Sequence, residues 1–336
     1  MNRRGCVWWV GIVLFGLAGF LVAASWAGAR AGMVLREKYP PVGQMVDIGG
    51  YRLHLDCQGQ GEPTVILEAT IGTPGSMWAL IQPEVARHTR ACAYDRAGIG
   101  WSDPSPRPRT IDVIAEELHT LLDRAGIRGS KVLVGNSAAG WMVRYYAHNY
   151  PDAVAGIVLV DSAHEDQFQR VPGEVSPAVG FFFDLLPVVF KTRIPALMPA
   201  LIPVYGKNEL PETVVDAYQA QMASEMVFSE TMSVEIKGVQ ENLAQVRAAR
   251  ITSLGDMPLI VLTHGRLDAI PGVTTSEEAV QQVEKVWQDL QRELAALSPK
   301  GQLLVAEGIG HNIQFENPDL VIDAILEVVE AVRQGD

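Results

Sequence analysis

Three cysteines in 336 residues are too few for a disulfide framework. Cys6 sits in an apolar run, which leaves Cys57 and Cys92 in the body of the chain. No acidic residue occurs in the first 30 positions, and no basic stripe appears anywhere after them. Net charge is −12, and setting aside Arg3, Arg4 and Arg30 leaves the rest at −15. A body of that sign repels phosphate backbones, so nucleic-acid binding is excluded as an expectation. The chain also lacks internal repeats and low-complexity tracts, which argues against a solenoid or a disordered scaffold. What it has is 48% hydrophobic and 20% charged residues, ample for a packed core. Its length suits one large α/β domain with an insertion, or two medium domains.

Arg3 and Arg4 precede an uncharged run from Gly5 to Ala29, rich in Val, Leu, Ile, Phe and Trp. A hydrocarbon core needs roughly 20 helical residues, so this run is long enough to span one. It also exceeds the ~7–15 apolar residues of a secretory signal's core, although Ala27-Gly28-Ala29 resembles a cleavage site. The expectation is a single-pass membrane anchor over residues 1–30 with the remaining chain extracytoplasmic; the alternative is secretion after signal cleavage. Arg30, Arg36 and Lys38 follow the span and weaken the charge bias that would orient it.

After a stiff linker (31–43) containing Tyr39-Pro40-Pro41, Gln44 to Ile48 and Tyr51 to Gln58 flank Gly49-Gly50 and predict a β-hairpin. Short apolar runs at Thr64–Leu67, Arg90–Tyr94, Lys131–Val134 and Val154–Val160 predict buried strands. Helices are predicted over Trp78–Arg87, Ile111–Ala125 and from Trp141 onward. The alternation stops between Asp161 and Asp256, where seven prolines and clusters such as Phe181-Phe182-Phe183 occur, and Glu212 to Ala249 reads as helical. It resumes with strands Pro258–Leu262 and Gln302–Val305 and helices Ser276–Leu297 and Pro318–Arg333. Repeated strand-helix units predict a mostly parallel sheet with helices on both faces. The core is then 44–161 and 257–336, with a helical lid at 162–256.

Gly135-Asn136-Ser137-Ala138-Ala139-Gly140 follows a strand and opens a helix. Small residues around the serine allow a tight turn that exposes its hydroxyl beside free N–H groups at a helix N-terminus. A serine needs a base and a group that orients the base. In open sheets such groups gather at the carboxyl ends of strands. Two further segments qualify: Gly265-Arg266-Leu267-Asp268 and Gly308-Ile309-Gly310-His311.

From about residue 44 onward the chain resembles the α/β-hydrolase fold enzymes of the group with an N-terminal membrane segment. The resemblance rests on Asp95-Arg96-Ala97-Gly98-Ile99-Gly100-Trp101-Ser102-Asp103, the serine turn, Asp268 and His311, in the order Ser, Asp, His. It implies Ser137 as nucleophile, His311 as base and Asp268 as the orienting acid, with Asp161 as the second candidate for the acid. It implies an oxyanion hole from the N–H of Ala138 and of Thr70, with Ile71 as the alternative. Asp95, Arg96 and Asp103 read as structural, Trp101 as pocket wall or core, and His164 and His264 as lid or loop residues. Asn136, Ala139 and Glu68-Ala69 depart from the His, Gly and His-Gly that relatives commonly carry.

The expected chemistry is hydrolysis of an ester, thioester or amide in a small-molecule substrate, without metal or organic cofactor. The apolar lid suggests an acyl or aromatic substrate; no basic cluster in it favours packing on a bilayer. An aminopeptidase-like reading needs a lid carboxylate, for which Glu225 and Glu235 are available, and a non-catalytic binding protein on the same fold is the other alternative. The family's strand order 1-2-4-3-5 would place Cys57 and Cys92 on neighbouring strands, where they either pair or stay buried thiols.

Overall fold

A computed structural model describes residues 3–170, 177–224, 226–267 and 277–335. Helix α1 (Arg3–Lys38) leads into β1 (Gln44–Asp47), β2 (Arg52–Gln58), β3 (Thr64–Glu68), α2 (Gln82–Val85) and β4 (Ala91–Tyr94). Then follow α3 (Ile111–Arg124), β5 (Lys131–Asn136), α4 (Ala139–Asn149) and β6 (Val154–Val160). The chain next leaves the sheet for α5 (Gln167–Arg170), α6 (Pro177–Lys191), α7 (Glu212–Ser224), α8 (Met226–Lys237) and α9 (Val239–Ala249). It returns through β7 (Leu259–His264), α10 (Glu277–Ala295), β8 (Gly301–Ala306), α11 (Ile313–Glu316) and α12 (Pro318–Gln334).

The eight strands form one sheet in the order β1-β2-β4-β3-β5-β6-β7-β8, antiparallel at β1-β2-β4 and parallel beyond. Alternate residues of each central strand point to opposite faces. Val65, Leu67, Val132, Val134, Val158 and Val160 pack on one side, against α12 residues such as Ile325 and Val328. Ile66, Leu133, Ile157 and Leu159 pack on the other, against α3 and α4 residues such as Leu118 and Val143. Both faces are therefore covered, as continuous apolar strands require.

Two elements differ from the sequence expectation. The helix expected over Trp78–Arg87 is a 3₁₀ turn at Gly75–Trp78 followed by four-residue α2. Pro83 has no N–H to give to a helix running through it and instead sits in the first turn of α2. The single helical stretch expected from Glu212 is α7, α8 and α9, with Gly238 marking the break before α9.

Ile12–Lys38 of α1 is long and apolar enough to cross a membrane, with mean hydropathy 2.0 and little of it buried. Its C-terminal part is not free: Ala31 and Leu35 join the apolar cluster of α6 and α7. The Tyr39 hydroxyl donates to Asp216 at 3.0 Å.

Antiparallel pairing of β2 with β4 sets Cys57 opposite Cys92, and the two are bonded. A bridge across a separation of 35 residues contributes about 2–4 kcal/mol. Thiol labelling of the denatured chain should find one reactive cysteine, Cys6, before reduction and three after it; three before reduction would mean no bridge.

Candidate functional site

The turn after β5 is strained. Ser137 has φ 53°, in the left-handed region that a residue with a side chain occupies at a cost of about 1–3 kcal/mol. The surroundings hold it there. The Ser137 N–H donates to the Val160 carbonyl at 3.0 Å, and the Ser137 carbonyl accepts from Gly140 and Ala163 at 3.0 and 2.9 Å. The turn closes because its flanks are small. A Cβ on Gly135 would lie 2.8 Å from the Ala139 carbonyl carbon, and one on Gly140 would collide with the Ser162 side chain. Ala139 is fully buried, so its one methyl group fits where relatives carry glycine.

Asn136, the other departure, pairs with the loop that follows β8. Its amide donates to the Val160 carbonyl at 3.1 Å and exchanges hydrogen bonds with Gln314 at 3.2 and 3.3 Å. The turn bearing Ser137 is thereby tied to α11, directly after His311.

His311 Nε2 lies 3.1 Å from Ser137 Oγ, and its Nδ1 lies 2.5 Å from Asp161 Oδ2. Asp161 follows β6 and is itself at positive φ, 42°. Its carboxylate is fully buried and also accepts from the His264 N–H at 3.0 Å, His264 Nδ1 at 2.7 Å, Trp287 Nε1 at 3.0 Å and Thr263 Oγ1 at 3.3 Å. Burial opposes its ionisation, but the hydrogen bonds from His264 and His311, and their charge, hold it well below the usual carboxylate range. Burial likewise disfavours a charged His264, yet Asp161, and then Glu284 at 2.9 Å from Nε2, push it up to about 9. Asp161, His264 and His311 have ligand atoms within 4.8 Å of one another, a spacing that could hold a metal. In this structure the ring Nδ1 atoms of both histidines are engaged with the Asp161 carboxylate in hydrogen bonds.

Ser137, Ala138, Thr70, Ile71 and His311 line one cavity of ≈ 360 Å³, with apolar walls that include Trp78, Trp141, Met232 and Phe315. Among the described residues, the backbone N–H groups of Thr70, Ile71 and Ala138 have no protein acceptor. The loop carrying Thr70 is held from behind by buried Arg96. That guanidinium donates to the carbonyls of Ala69 and Thr70 at 2.5 and 2.9 Å, to Glu68 at 2.6 Å, and to Glu235 of α8 at 2.9 and 3.0 Å. Burial raises the Glu68 carboxyl against the pull of Arg96; for Glu235 the same burial is outweighed by Arg96, and its carboxyl is lowered. Glu235 also accepts from Gly72 N–H at 3.3 Å, so a single residue of the helical insertion braces both Arg96 and the loop.

The family model for the alpha/beta hydrolase family matches residues 70–324. The chain belongs to that family. A probable transporter, efuK, of Hormonema carpetanum is 25% identical over 313 residues, 85% of this chain; the chain spans only 42% of that protein. The uncharacterized protein YqjL of Bacillus subtilis is 25% identical over 271 residues, 81% of this chain and 85% of YqjL. A thermophilic esterase from Thermogutta terrifontis superposes with a TM-score of 0.60 at 21% identity, over 86% of this chain and 98% of the esterase, a likeness of fold.

Of the residues singled out from sequence, Ser137, His311, Ala138 and Thr70 meet at one cavity. Asp268 lies outside the described residues, and the carboxylate seen against His311 is Asp161, the second candidate. β6 and β7 are neighbours in the sheet, so a carboxylate at the end of either is within reach of the loop after β8. His264 is no lid or loop residue: it ends β7, buried on Asp161. A histidine in a strand-end Thr-His-Gly was the available signal. Trp101 lines a different cavity, with Arg36 of α1 5.9 Å from its ring. Gln314 and Trp287 had no local signal, since their meaning comes from partners 178 and 126 residues away.

Because His264 is raised from 6.5 to about 9, its contribution to stability is complete below about pH 6.5 and is lost as pH rises through 9. Between pH 6.5 and 10, the melting temperature of the wild type should fall about 2–4 °C further than that of His264→Asn. Parallel melting curves would show that His264 carries no such charge.

Proposed function

We propose that the chain is a serine hydrolase that cleaves a carboxylic ester through an acyl-enzyme on Ser137, with thioesters and amides as related substrates. One observation carries the reading: the relay from Ser137 Oγ through His311 to a buried, ionised Asp161. In the first half-reaction Ser137 Oγ attacks the substrate carbonyl carbon while His311 Nε2 takes its proton. Asp161 holds His311 by Nδ1 and stabilises the imidazolium so formed. The oxyanion accepts from the N–H of Ala138 and of Thr70 or Ile71, each donor contributing ~10²–10³ in rate. The tetrahedral species collapses, and His311 returns the proton to the departing alcohol. Water then repeats the sequence on the acyl-enzyme and releases the acid and free Ser137.

Glu235 weighs against an aminopeptidase, because its carboxylate is committed to Arg96 rather than open to a substrate amine; Glu225 lies outside the described residues. A non-catalytic binding protein would have no use for a strained Ser137 beside an imidazole. In this reading the segment 162–256 serves as the lid over the cavity. Residues 1–30 serve as an anchor rather than a cleaved signal, since α1 runs unbroken through Ala27-Gly28-Ala29 into its contacts with α6 and α7.

A fluorophosphonate probe should label the wild type and not Ser137→Ala, and Ser137→Ala should lose hydrolysis of p-nitrophenyl esters. Full activity in that variant would overturn the mechanism. Asp161→Asn should lower kcat by up to ~10⁴, whereas Asp268→Asn should stay within about threefold of wild type. The opposite ranking would return the acid's role to Asp268. Aminoacyl anilides should be turned over more slowly than the esters.

A further inference from the structure

The helical insertion exposes apolar side chains on one side. On α6, Phe181, Leu185 and Val188 are 68%, 44% and 57% exposed, at the i, i+4, i+7 spacing of one helical stripe. The charged residues of α6, Asp184 and Lys191, border that stripe, three residues after Phe181 and three after Val188, and both are paired. Asp184 pairs with Lys237, and Lys191 pairs with Glu230 at 3.0 Å, both partners on α8. The short 3₁₀ turns that follow, Ile194–Leu197 and Pro199–Leu201, add Leu197, Met198 and Leu201, the last 72% exposed. So many exposed apolar side chains on one short stretch of chain, bordered by paired charges, mark an interaction surface rather than one that meets only water.

The position of α1 says what covers it. The first charge after its apolar run is Arg30, whose guanidinium lies 4.9 Å from the centre of the Trp26 ring, a pairing suited to a membrane-water boundary. At that level α1 touches the insertion. A Cβ on Gly28 would run into the Arg193 carbonyl, and one on Gly32 would lie 3.4 Å from Ser224 Cα and 3.9 Å from Ala196 Cβ. The backbone that starts the first 3₁₀ turn is therefore pinned at the boundary, and the exposed leucines and methionine lie on the same short stretch of chain. Tyr205, 66% exposed, follows a few residues later and lines the ≈ 360 Å³ cavity. Gly206 beside it sits against the ring of Phe315, another wall residue.

We propose that this face of the insertion is a bilayer-docking surface, and that the cavity takes its substrate, an acyl ester of a membrane-resident amphiphile, from the lipid phase. The substrate part rests on the serine hydrolase reading above; the docking part does not. The attraction is apolar area, not opposite charge, so docking is insensitive to salt and needs no anionic lipid.

The full chain, with Cys6→Ser, would be placed in phosphatidylcholine nanodiscs with an environment-sensitive fluorophore on Val188→Cys, Leu201→Cys or, as a control on α10, Asp289→Cys. Doxyl-labelled lipid should quench the first two at least ~5-fold more than the third, equally in low and high salt. Quenching no greater than that of the control, with full access of iodide, overturns docking whatever the enzyme's activity. A Leu185→Ser/Val188→Ser/Leu201→Ser variant should raise KM by ~10-fold for a long-chain ester held in the nanodisc and leave kcat/KM for soluble p-nitrophenyl acetate unchanged. An unchanged KM overturns entry from the bilayer even if the labels are quenched. Quenching in a protein without Ser137-dependent hydrolysis supports docking and overturns the hydrolase reading alone.

Discussion

A buried carboxylate between two imidazoles is the constraint around which the rest of this site is arranged. Asp161 is removed from water and still ionised, which is tolerable only because donors surround it: the His264 ring and backbone, the Trp287 indole, Thr263 and His311. His264 is in turn held by Glu284, so hydrogen-bonded groups run without a gap from the helix α10 to the Ser137 hydroxyl. Removing one member leaves its neighbours buried without a partner, and such losses are larger than the value of the bond itself.

Two members of that arrangement are backbone positions under strain. Ser137 and Asp161 terminate adjacent strands, β5 and β6, and both are at positive φ. The sheet hydrogen bonds and the packed helices on either face over-determine the two positions, which is how a fold supports strain at a functional site. The insertion contributes from the opposite wall. Through Glu235 it holds Arg96, and through Arg96 the loop with the free N–H groups of Thr70 and Ile71. If α1 and the insertion meet the bilayer together, as proposed, this one residue links the membrane-facing layer to the oxyanion loop.

Much of this was legible in the chain. Short continuous apolar runs, strand-helix alternation and the Gly49-Gly50 turn were enough for the sheet and its covering helices, because both faces of each central strand must be apolar. That Ser137 and His311 could meet was legible because each follows its own strand in a segment of small residues. The carboxylate partner of His311 was less so. Asp161 and Asp268 each follow a strand, and the sequence separation from His311 does not reveal which carboxylate lies beside Nδ1. His264 was misread because distance from the last strand was used as a guide, when neighbouring strand ends in a sheet are close whatever their separation in sequence.

By itself the sequence determined the α/β alternation, the apolar N-terminal segment, the acidic body and the tight turn at Ser137, all of which depend on residues within one element of each other. Only the tertiary structure decided which carboxylate meets His311, that Cys57 faces Cys92, that Asn136 pairs with Gln314 and which apolar residues of the insertion face outward. The reason is range. Periodicity and turn chemistry act over a few residues, whereas burial, ion pairing and exposure depend on segments that meet only once the sheet has been assembled.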